Sequence, residues 1–292
     1  MTVDKSWASR LADVAIYLTL SLSALVCIIP FLYIVAGSFA TPQELAERGF
    51  ILFPTQFTLD TYEYVLSTAT IPAGLLTSVK LTVVGTAVNL LMTALMAYPL
   101  ARRDLAGRGW IMYMVVFAML FNGGMIPTYI VVKEAGLLNS MWSLILPGAI
   151  SAFNMIVMKN FFQQLPEGLE ESAKIDGCND LSILFRIVVP LSMPVIATLA
   201  LFYGVGHWNS YFSAILYMND AEQWPVQVWL RQIVILSVGG FSESTESLES
   251  VPPPAETIKM AVIVVSTVPM LLVYPFLQKY FAKGALLGSV KG

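Results

Sequence analysis

A dense acidic cluster stands between two apolar stretches of the chain, in the segment PEGLEESAKIDGCND. Two neighbouring carboxylates can perform acid–base catalysis. The cluster offers three candidates for such a pair, which are Glu167, Glu170 and Glu171. Their placement favours a structural role, because negative side chains near a helix N-terminus interact favourably with its dipole. Lys174 follows, and Gly177 can end the helix in the left-handed conformation. We interpret the cluster as a capped helix of about three turns.

A second short helix is predicted directly after the first. Asn179 and Asp180 are both good N-cap residues. Apolar residues then recur at helical spacing on one face, which consists of Leu181, Leu184, Phe185 and Val188. Pro190 and Pro194 are expected to bend the chain as it enters the next apolar stretch.

The composition of the whole chain indicates an integral membrane protein. Of its 292 residues 57% are hydrophobic and 12% charged, and the mean hydropathy is +0.73. Soluble domains carry about 25% charged residues. A net charge of −3 provides no basic field for nucleic acid. Cys27 lies in an apolar run and Cys178 in the polar segment, so the two form a poor disulfide or metal candidate.

Six segments are apolar enough to cross a bilayer, which takes about 20 residues. The first is too long for the core of a signal peptide, so we interpret it as an uncleaved span. Pro127 is expected to kink or end the third. The sequence predicts an all-α membrane protein with one transmembrane domain over residues 1–292. The spans lie near residues 14–37, 75–99, 110–132, 139–161, 187–207 and 257–278.

Basic residues orient these spans. With both termini in the cytoplasm, eleven of the 16 Lys and Arg residues fall on the cytoplasmic side, as the positive-inside rule requires. The polar loop 163–190 then faces the cytoplasm, and the acidic, aromatic loops 38–74 and 208–256 face the opposite side. A secondary transporter or channel would need buried ionisable residues or an inverted repeat, and the span centres show neither. No catalytic constellation supports a membrane-bound enzyme.

The polar loop resembles the EAA loop of bacterial ABC importer permeases, whose pattern is E-A-A-x3-G, nine residues, then I-x-L-P. This chain has ESAKIDG ending at Gly177 and IVVP ending at Pro190, at the same spacing. Ser172 and Val189 are small departures from the pattern. The segments AYPLARRDLAGRG, FNGGMIPTYIVV and QKYFAKGALLGSVKG resemble the carbohydrate-importer branch, close to the smaller maltose permease subunit and to complex-oligosaccharide permeases that include an alginate importer.

The resemblance implies the ABC importer permease fold, in the bacterial cytoplasmic (inner) membrane. It also implies a second homologous permease, an extracytoplasmic solute-binding protein, and two ATPase subunits that hold ATP and magnesium. This chain would bind no cofactor and catalyse no reaction, and it lacks the G-x-x-x-x-G-K-[ST] phosphate loop. The cargo implied is an oligosaccharide, including polysaccharide fragments such as alginate.

The family's ATPase contacts can be carried over residue by residue. In the loop they fall on Glu170, Glu171, Ser172, Ala173, Asp176 and Gly177. In the C-terminal tail, which is too flexible to pack alone, they fall on Gly288, Ser289, Val290, Lys291 and Gly292.

Several residues are candidates for the substrate pathway, each with a second interpretation. Asn89 and Asn154 lie within spans and either join helices by hydrogen bonds or contact a sugar. His207 is the only histidine; alone it forms neither a zinc site nor a triad, and we expect a structural or pathway-lining role. The residues after it form either an aromatic belt or a sugar-stacking surface, and they are Trp208, Asn209, Tyr211 and Phe212.

Overall fold

The structure, a computed structural model, describes residues 7–239 and 255–289, and these residues are predominantly helical. Within these ranges strand pairing is confined to an isolated antiparallel bridge between Ala40 and Phe57. The predicted all-α class is confirmed. In chain order the helices are α1 (Trp7–Ser38), α2 (Pro42–Arg48), α3 (Asp60–Ser67), α4 (Thr70–Ala101), α5 (Arg108–Leu120), α6 (Met125–Glu134), α7 (Trp142–Ile145), α8 (Ala152–Phe162), α9 (Glu167–Ile175), α10 (Asp180–Ile183), α11 (Val189–Leu191), α12 (Met193–Trp208), α13 (Phe212–Tyr217), α14 (Val226–Gly239) and α15 (Ala255–Ser289).

Three described helices are long and apolar enough to cross a membrane by themselves: most of α1, all of α4, and residues Glu256–Val273 of α15. Three more candidates are segments bent at a short break, and counting each as one span gives six. The bends are 116° between α5 and α6, 57° between the α7 segment and α8, and 86° between the α10–α11 segment and α12. The span boundaries and the single domain over residues 1–292 stay predictions.

The break in the third predicted span lies before Pro127, and not at it. Helix α5 ends at Leu120, and the chain turns through Gly124, whose φ is +90°. Only glycine adopts such a backbone conformation without strain. Pro127 is the third residue of α6, where its missing N–H costs little because the first helical N–H groups have no partner within the helix.

The C-terminal helix continues beyond the predicted span. The sequence places the end of the span near residue 278 and leaves the last ten residues unpacked, whereas α15 continues to Ser289. Gly288 and Ser289 are therefore part of this helix, and the flexibility of the tail and its contact with an ATPase subunit stay predictions. Val290, Lys291 and Gly292 lie outside the described residues, as do residues 240–254 of the predicted loop 208–256.

The described residues form two compact units, and the larger comprises residues 70–231 and those from Val268 onward. Within the larger unit α4 packs against α12 and α8. Tyr203 on α12 ties the three together, because its buried hydroxyl lies 2.7 Å from the Thr93 hydroxyl and accepts the Ser151 N–H at 3.1 Å. Ser151 is also the N-cap of α8. A buried hydrogen bond of this kind contributes about 1 kcal/mol and costs more when one partner is lost.

The smaller unit comprises residues up to Ala69 and residues 232–267. Its loop between α2 and α3 is held by the carboxylate of Glu44, which is 6% exposed. One carboxylate oxygen accepts the Thr55 N–H at 2.8 Å and the Thr55 hydroxyl at 2.7 Å, and the other accepts the Gln56 N–H at 3.1 Å. Arg48 also donates at 2.8 Å.

These bonds lower the pKa of Glu44 to about 2, chiefly through the Thr55 N–H and then the Thr55 hydroxyl, and burial opposes them only partly. The carboxylate therefore holds the loop more strongly in its charged form than in its neutral form.

We predict that acid releases this loop. A glutamate titrates near 4.3 in an unfolded chain, and the pKa of Glu44 is lower in the fold. The stability that Glu44 contributes is therefore complete above about pH 4.3 and is lost as the pH falls towards 2. Glu44→Gln should raise the hydrogen-exchange rates of the Thr55 and Gln56 amides at neutral pH. Exposed Glu47, on the same helix, provides the control Glu47→Gln, and equal exchange in both variants would contradict the prediction.

Candidate functional site

The acidic cluster forms helix α9, and its end is built as the sequence indicates. Pro166 occupies the N-cap position, and nine residues follow, about 2.5 turns and not three. Gly177 has φ +80°, which confirms the predicted left-handed residue. The Cys178 N–H donates to the Ala173 carbonyl at 2.9 Å, and the Gly177 N–H donates to the Lys174 carbonyl at 3.0 Å. These two bonds are the Schellman motif, which satisfies carbonyls at a helix end.

The second helix begins at the predicted cap, because the Asn179 side chain accepts the Ser182 N–H at 2.8 Å. The predicted apolar face is only half right: Leu184 and Val188 are buried, whereas Leu181 is 59% and Phe185 45% exposed. A π turn over Leu184–Val188 adds a residue to the turn, so the regular helical spacing does not hold from Leu184 onward. Ile183 is buried in place of Leu181. The expected bend near Pro190 and Pro194 is present, at 86°.

Helix α9 has two faces of different character. On one face Glu170 is partly covered and Ala173 is buried, and both lie against the rest of the larger unit. On the other face Glu171 and Ile175 are exposed, and Ile175 is 86% exposed. The spacing of Glu171 and Ile175 places them one turn apart on the same side. This side of α9 therefore presents a carboxylate and an apolar side chain away from the larger unit. The side chain of Glu167 lies outside the described residues.

Arg102, directly after α4, holds the covered face of α9. Its Nε and Nη2 donate to one oxygen of Glu170 at 3.2 and 3.1 Å, and Nη1 donates to Asp180 at 2.8 Å. The guanidinium carbon lies 5.2 Å from the centre of the Tyr98 ring. Burial lowers the pKa of Arg102, but the hydrogen bond to Asp180 and the nearby carboxylates outweigh it, so the pKa is raised. Arg102 therefore stays charged and paired.

A cavity of about 370 Å³ opens between the end of α4 and α9. Glu170 and Glu171 line it together with the cationic residues Arg102, Arg103 and Lys174. Asp104 also lines it, so three acidic and three basic side chains border the cavity and their formal charges cancel. Glu170 and Glu171 therefore border open space and are reachable from outside the unit.

A polar seam runs between α4 and α12. His207 is 8% exposed and packs on Gly85, where a Cβ would lie 2.5 Å from the imidazole Nε2. Asn89, 3% exposed, donates through Nδ2 to the Gly148 carbonyl at 3.3 Å. The buried Asn89 Oδ1 and the hydroxyl oxygens of Thr82 and Thr86 make no hydrogen bond within the described part of the chain. Buried polar atoms are normally paired, so these three are available to water or a ligand.

The other candidate pathway residues are not brought into one group. Asn154 is 6% exposed near the start of α8, and its backbone N–H is capped by Ser151. Trp208 is buried, whereas Asn209 is exposed and donates back to the Val205 carbonyl. The guanidinium carbon of Arg231 lies over the ring of Tyr211, 4.6 Å from the ring centre. The described residues contain no group of three or more His, Cys, Asp or Glu able to hold a metal ion.

The comparison with known proteins settles the family. The sequence family described as "Binding-protein-dependent transport system inner membrane component" matches residues 2–286. The chain belongs to this family. It is the inner-membrane permease component of a transport system, as the loop ending at Gly177 predicts.

Relatives of this permease include two from Bacillus subtilis (strain 168). It is 61% identical to the polygalacturonan/rhamnogalacturonan transport system permease protein YtcP over 97% of this chain and 99% of that protein. It is 56% identical to protein LplC over 100% of this chain and 98% of that protein. Among solved structures, it matches a chain of a bacterial ABC transporter involved in the import of the acidic polysaccharide alginate, with 30% identity, a TM-score of 0.88, and coverage of 96% and 100%.

Sequence reasoning about this permease found the loop but missed the residues that hold it. Arg102 and Tyr98 lie about seventy residues before their carboxylate partner, and no local pattern links them. Ile175 was missed because an apolar residue within a helix is ordinarily assigned to a core. Gly85 could have been found only by knowing that α4 faces His207.

We predict that the contact between Gly85 and His207 tolerates no side chain. The imidazole atoms would lie 2.5–2.8 Å from a new Cβ, so Gly85→Ala must displace the ring. Overpacking of this kind costs about 1–3 kcal/mol. The thermal unfolding temperature of the purified permease should fall in Gly85→Ala and recover in part when His207→Ala is added. Gly206→Ala is the control, because its Cβ would meet nothing within 4 Å. Additive effects of the two substitutions would contradict the contact.

Proposed function

We propose that this permease is one of two transmembrane subunits of an ATP-driven importer of acidic oligosaccharides. Support for the cargo comes from its relatives: one is a polygalacturonan/rhamnogalacturonan permease, and a solved neighbour belongs to an importer of the acidic polysaccharide alginate. Both kinds of polymer carry carboxylates on their sugar rings. The chain would therefore pass fragments of a uronate-rich polysaccharide.

The observation that carries the mechanism is the two-faced helix α9. Its covered face is bound to the rest of the larger unit through Glu170, and its other face presents Glu171 and Ile175. A partner protein that displaced the exposed face of such a helix would move the helix as a rigid body, and the movement would reach the larger unit through the covered face. We assign the exposed face, with Ser172 and Asp176, to contact with an ATPase subunit, and Gly177 to fixing the direction in which the chain leaves the helix.

The partners follow from this assignment. Two ATPase subunits would bind ATP and magnesium and would hold α9 of each permease, and the tail Gly288–Gly292 would reach their interface. A second permease would complete the pathway, and an extracytoplasmic binding protein would deliver the oligosaccharide. Both termini and the loop 163–190 would lie in the cytoplasm. Because ATP would be hydrolysed on the ATPase subunits, this chain would carry no catalytic residue.

The polar seam is our candidate for the sugar pathway. Asn89 Oδ1 and the hydroxyls of Thr82 and Thr86 are buried acceptors, and sugars offer many hydroxyl donors. When α4 and α12 shift during alternating access, these groups could bond sugar hydroxyls without losing existing bonds. Tyr211 and Trp208 are the aromatic candidates for stacking on a sugar ring, and Asn154 and Asn209 are further amide candidates.

The role of Gly177 can be tested through its backbone. A Cβ there meets no atom within 4 Å, so we expect Gly177→Val to act by opposing φ +80°. We expect the variant to reach the membrane and bind the ATPase subunits, while substrate-stimulated ATP hydrolysis falls to the unstimulated level. The control is Gly136→Val, a glycine at φ +68° with equally open surroundings outside the loop. Full stimulation in Gly177→Val would exclude the assignment.

The cargo can be tested with the complete reconstituted complex in proteoliposomes. We expect ATP hydrolysis to be stimulated by oligogalacturonides and other acidic oligosaccharides of several residues, and much less by neutral oligosaccharides or by galacturonate itself. Stimulation by neutral oligosaccharides alone would exclude an acidic cargo but would still agree with an importer of oligosaccharides. A preference for amino acids, metal ions or phosphate would overturn the proposed function.

A further inference from the structure

Arg102 lies at the junction between the end of α4 and the two short helices α9 and α10. It is the first residue after α4, and α4 packs against both α12 and α8. Its side chain is 17% exposed and bonds Glu170 on α9 and Asp180 on α10. One arginine therefore joins the end of α4 to both helices of the loop. Among the described ion pairs, those of Arg102 are the ones that join α4 to α9 and α10.

The contacts around Arg102 hold it in one orientation. The Tyr98 ring lies beneath the guanidinium at 5.2 Å, and the Tyr98 hydroxyl donates to the same Glu170 oxygen at 3.3 Å. Glu170 Oε2 thus accepts from three donors, two of them on Arg102. Beside them, Gln163 Nε2 donates to the Ala101 carbonyl at 3.1 Å, at the last residue of α4.

From this arrangement we propose that Arg102 is a positioning residue for energy coupling, which transmits the movement of α9 to α4. The inference rests on the proposed function, in which α9 receives its movement from an ATPase subunit. The family pattern that identifies the loop does not include this residue. Glu170 is accordingly part of the internal link, and Glu171 is the carboxylate left for the partner.

The geometry of arginine, and not only its charge, is needed for this role. A guanidinium presents five N–H donors in a fixed plane, so it can bond two carboxylates at once. A lysine ammonium is a point charge on a flexible stem and would keep the attraction while losing the fixed distance. The bond to Glu170 should matter more than the bond to Asp180, because Asp180 is 61% exposed and exposed pairs are weak.

The experiment measures coupling and assembly separately in the complete complex. Each variant is reconstituted with its partners, and we record sugar imported per ATP hydrolysed, substrate-stimulated and unstimulated hydrolysis, and the amount of ATPase subunit bound. The variants are Arg102→Lys, Glu170→Gln, Asp180→Asn, and a charge-reversed set. That set combines Arg102→Glu and Glu170→Arg with Asp180→Asn, because a carboxylate at position 102 would repel Asp180.

We expect Arg102→Lys to assemble normally and to lose about 10- to 100-fold of its stimulated hydrolysis, the order of effect that misplacing a working element by about 1 Å has in enzymes. Sugar imported per ATP should fall as well. Glu170→Gln should follow it, Asp180→Asn should be milder, and the charge-reversed set should recover part of the loss. The control is Arg186→Lys, an exposed basic residue of the same loop without an ion pair among the described residues.

Wild-type coupling in Arg102→Lys would overturn the inference. So would a parallel loss of bound ATPase subunit and stimulated hydrolysis across the variants without recovery in the charge-reversed set, because Arg102 would then serve folding alone. A wild-type complex that no oligosaccharide stimulates would instead count against the proposed cargo. The two failures are thereby distinguishable.

Discussion

The larger unit depends on the packing of α4 against α12 and α8, and one phenol fixes that packing. The Tyr203 hydroxyl meets Thr93 and the Ser151 N–H, so three helices share one hydrogen-bonded point in an apolar core. In a low-dielectric interior such bonds are strengthened, and an unpaired member is costly. Association of membrane helices gains little from hydrophobicity, since lipid is equally apolar, and it relies on close contact and polar bonds. The glycine contact Gly85–His207 and the Tyr203 bonds supply both.

Two chemically different regions are arranged along this one helix. The middle of α4 carries the polar seam with its unpaired oxygens, and its end carries the arginine that binds the loop. A helix of 32 residues is about 48 Å long, so α4 reaches from the polar seam to the loop. The proposed pathway and the proposed coupling device thus lie along one continuous helix. This arrangement needs no relay of side chains between them.

Features that depend on neighbours in the chain were predictable, and those that depend on distant partners were not. Gly177 and the Asn179 cap act within a few residues, and both were predicted correctly. The π turn was missed because hydrophobic spacing assumes a regular helix. The break at Gly124 was assigned to Pro127 because proline has the stronger general effect. The pairing of Arg102 with Glu170 spans 68 residues and becomes visible only when the helices are in place.

The sharp bend between α5 and α6 restricts what can lie beside this part of the chain in a membrane. Helix α5 has 13 residues and so rises only about 20 Å, against a hydrocarbon core of about 30 Å. With Arg108 at the lipid–water boundary, as charged residues at span ends prefer, residues 121–124 would fall short of the opposite boundary. These residues are exposed in the chain by itself. Irregular backbone does not face acyl chains at such a depth, so we expect the bend to border water or another protein instead of lipid.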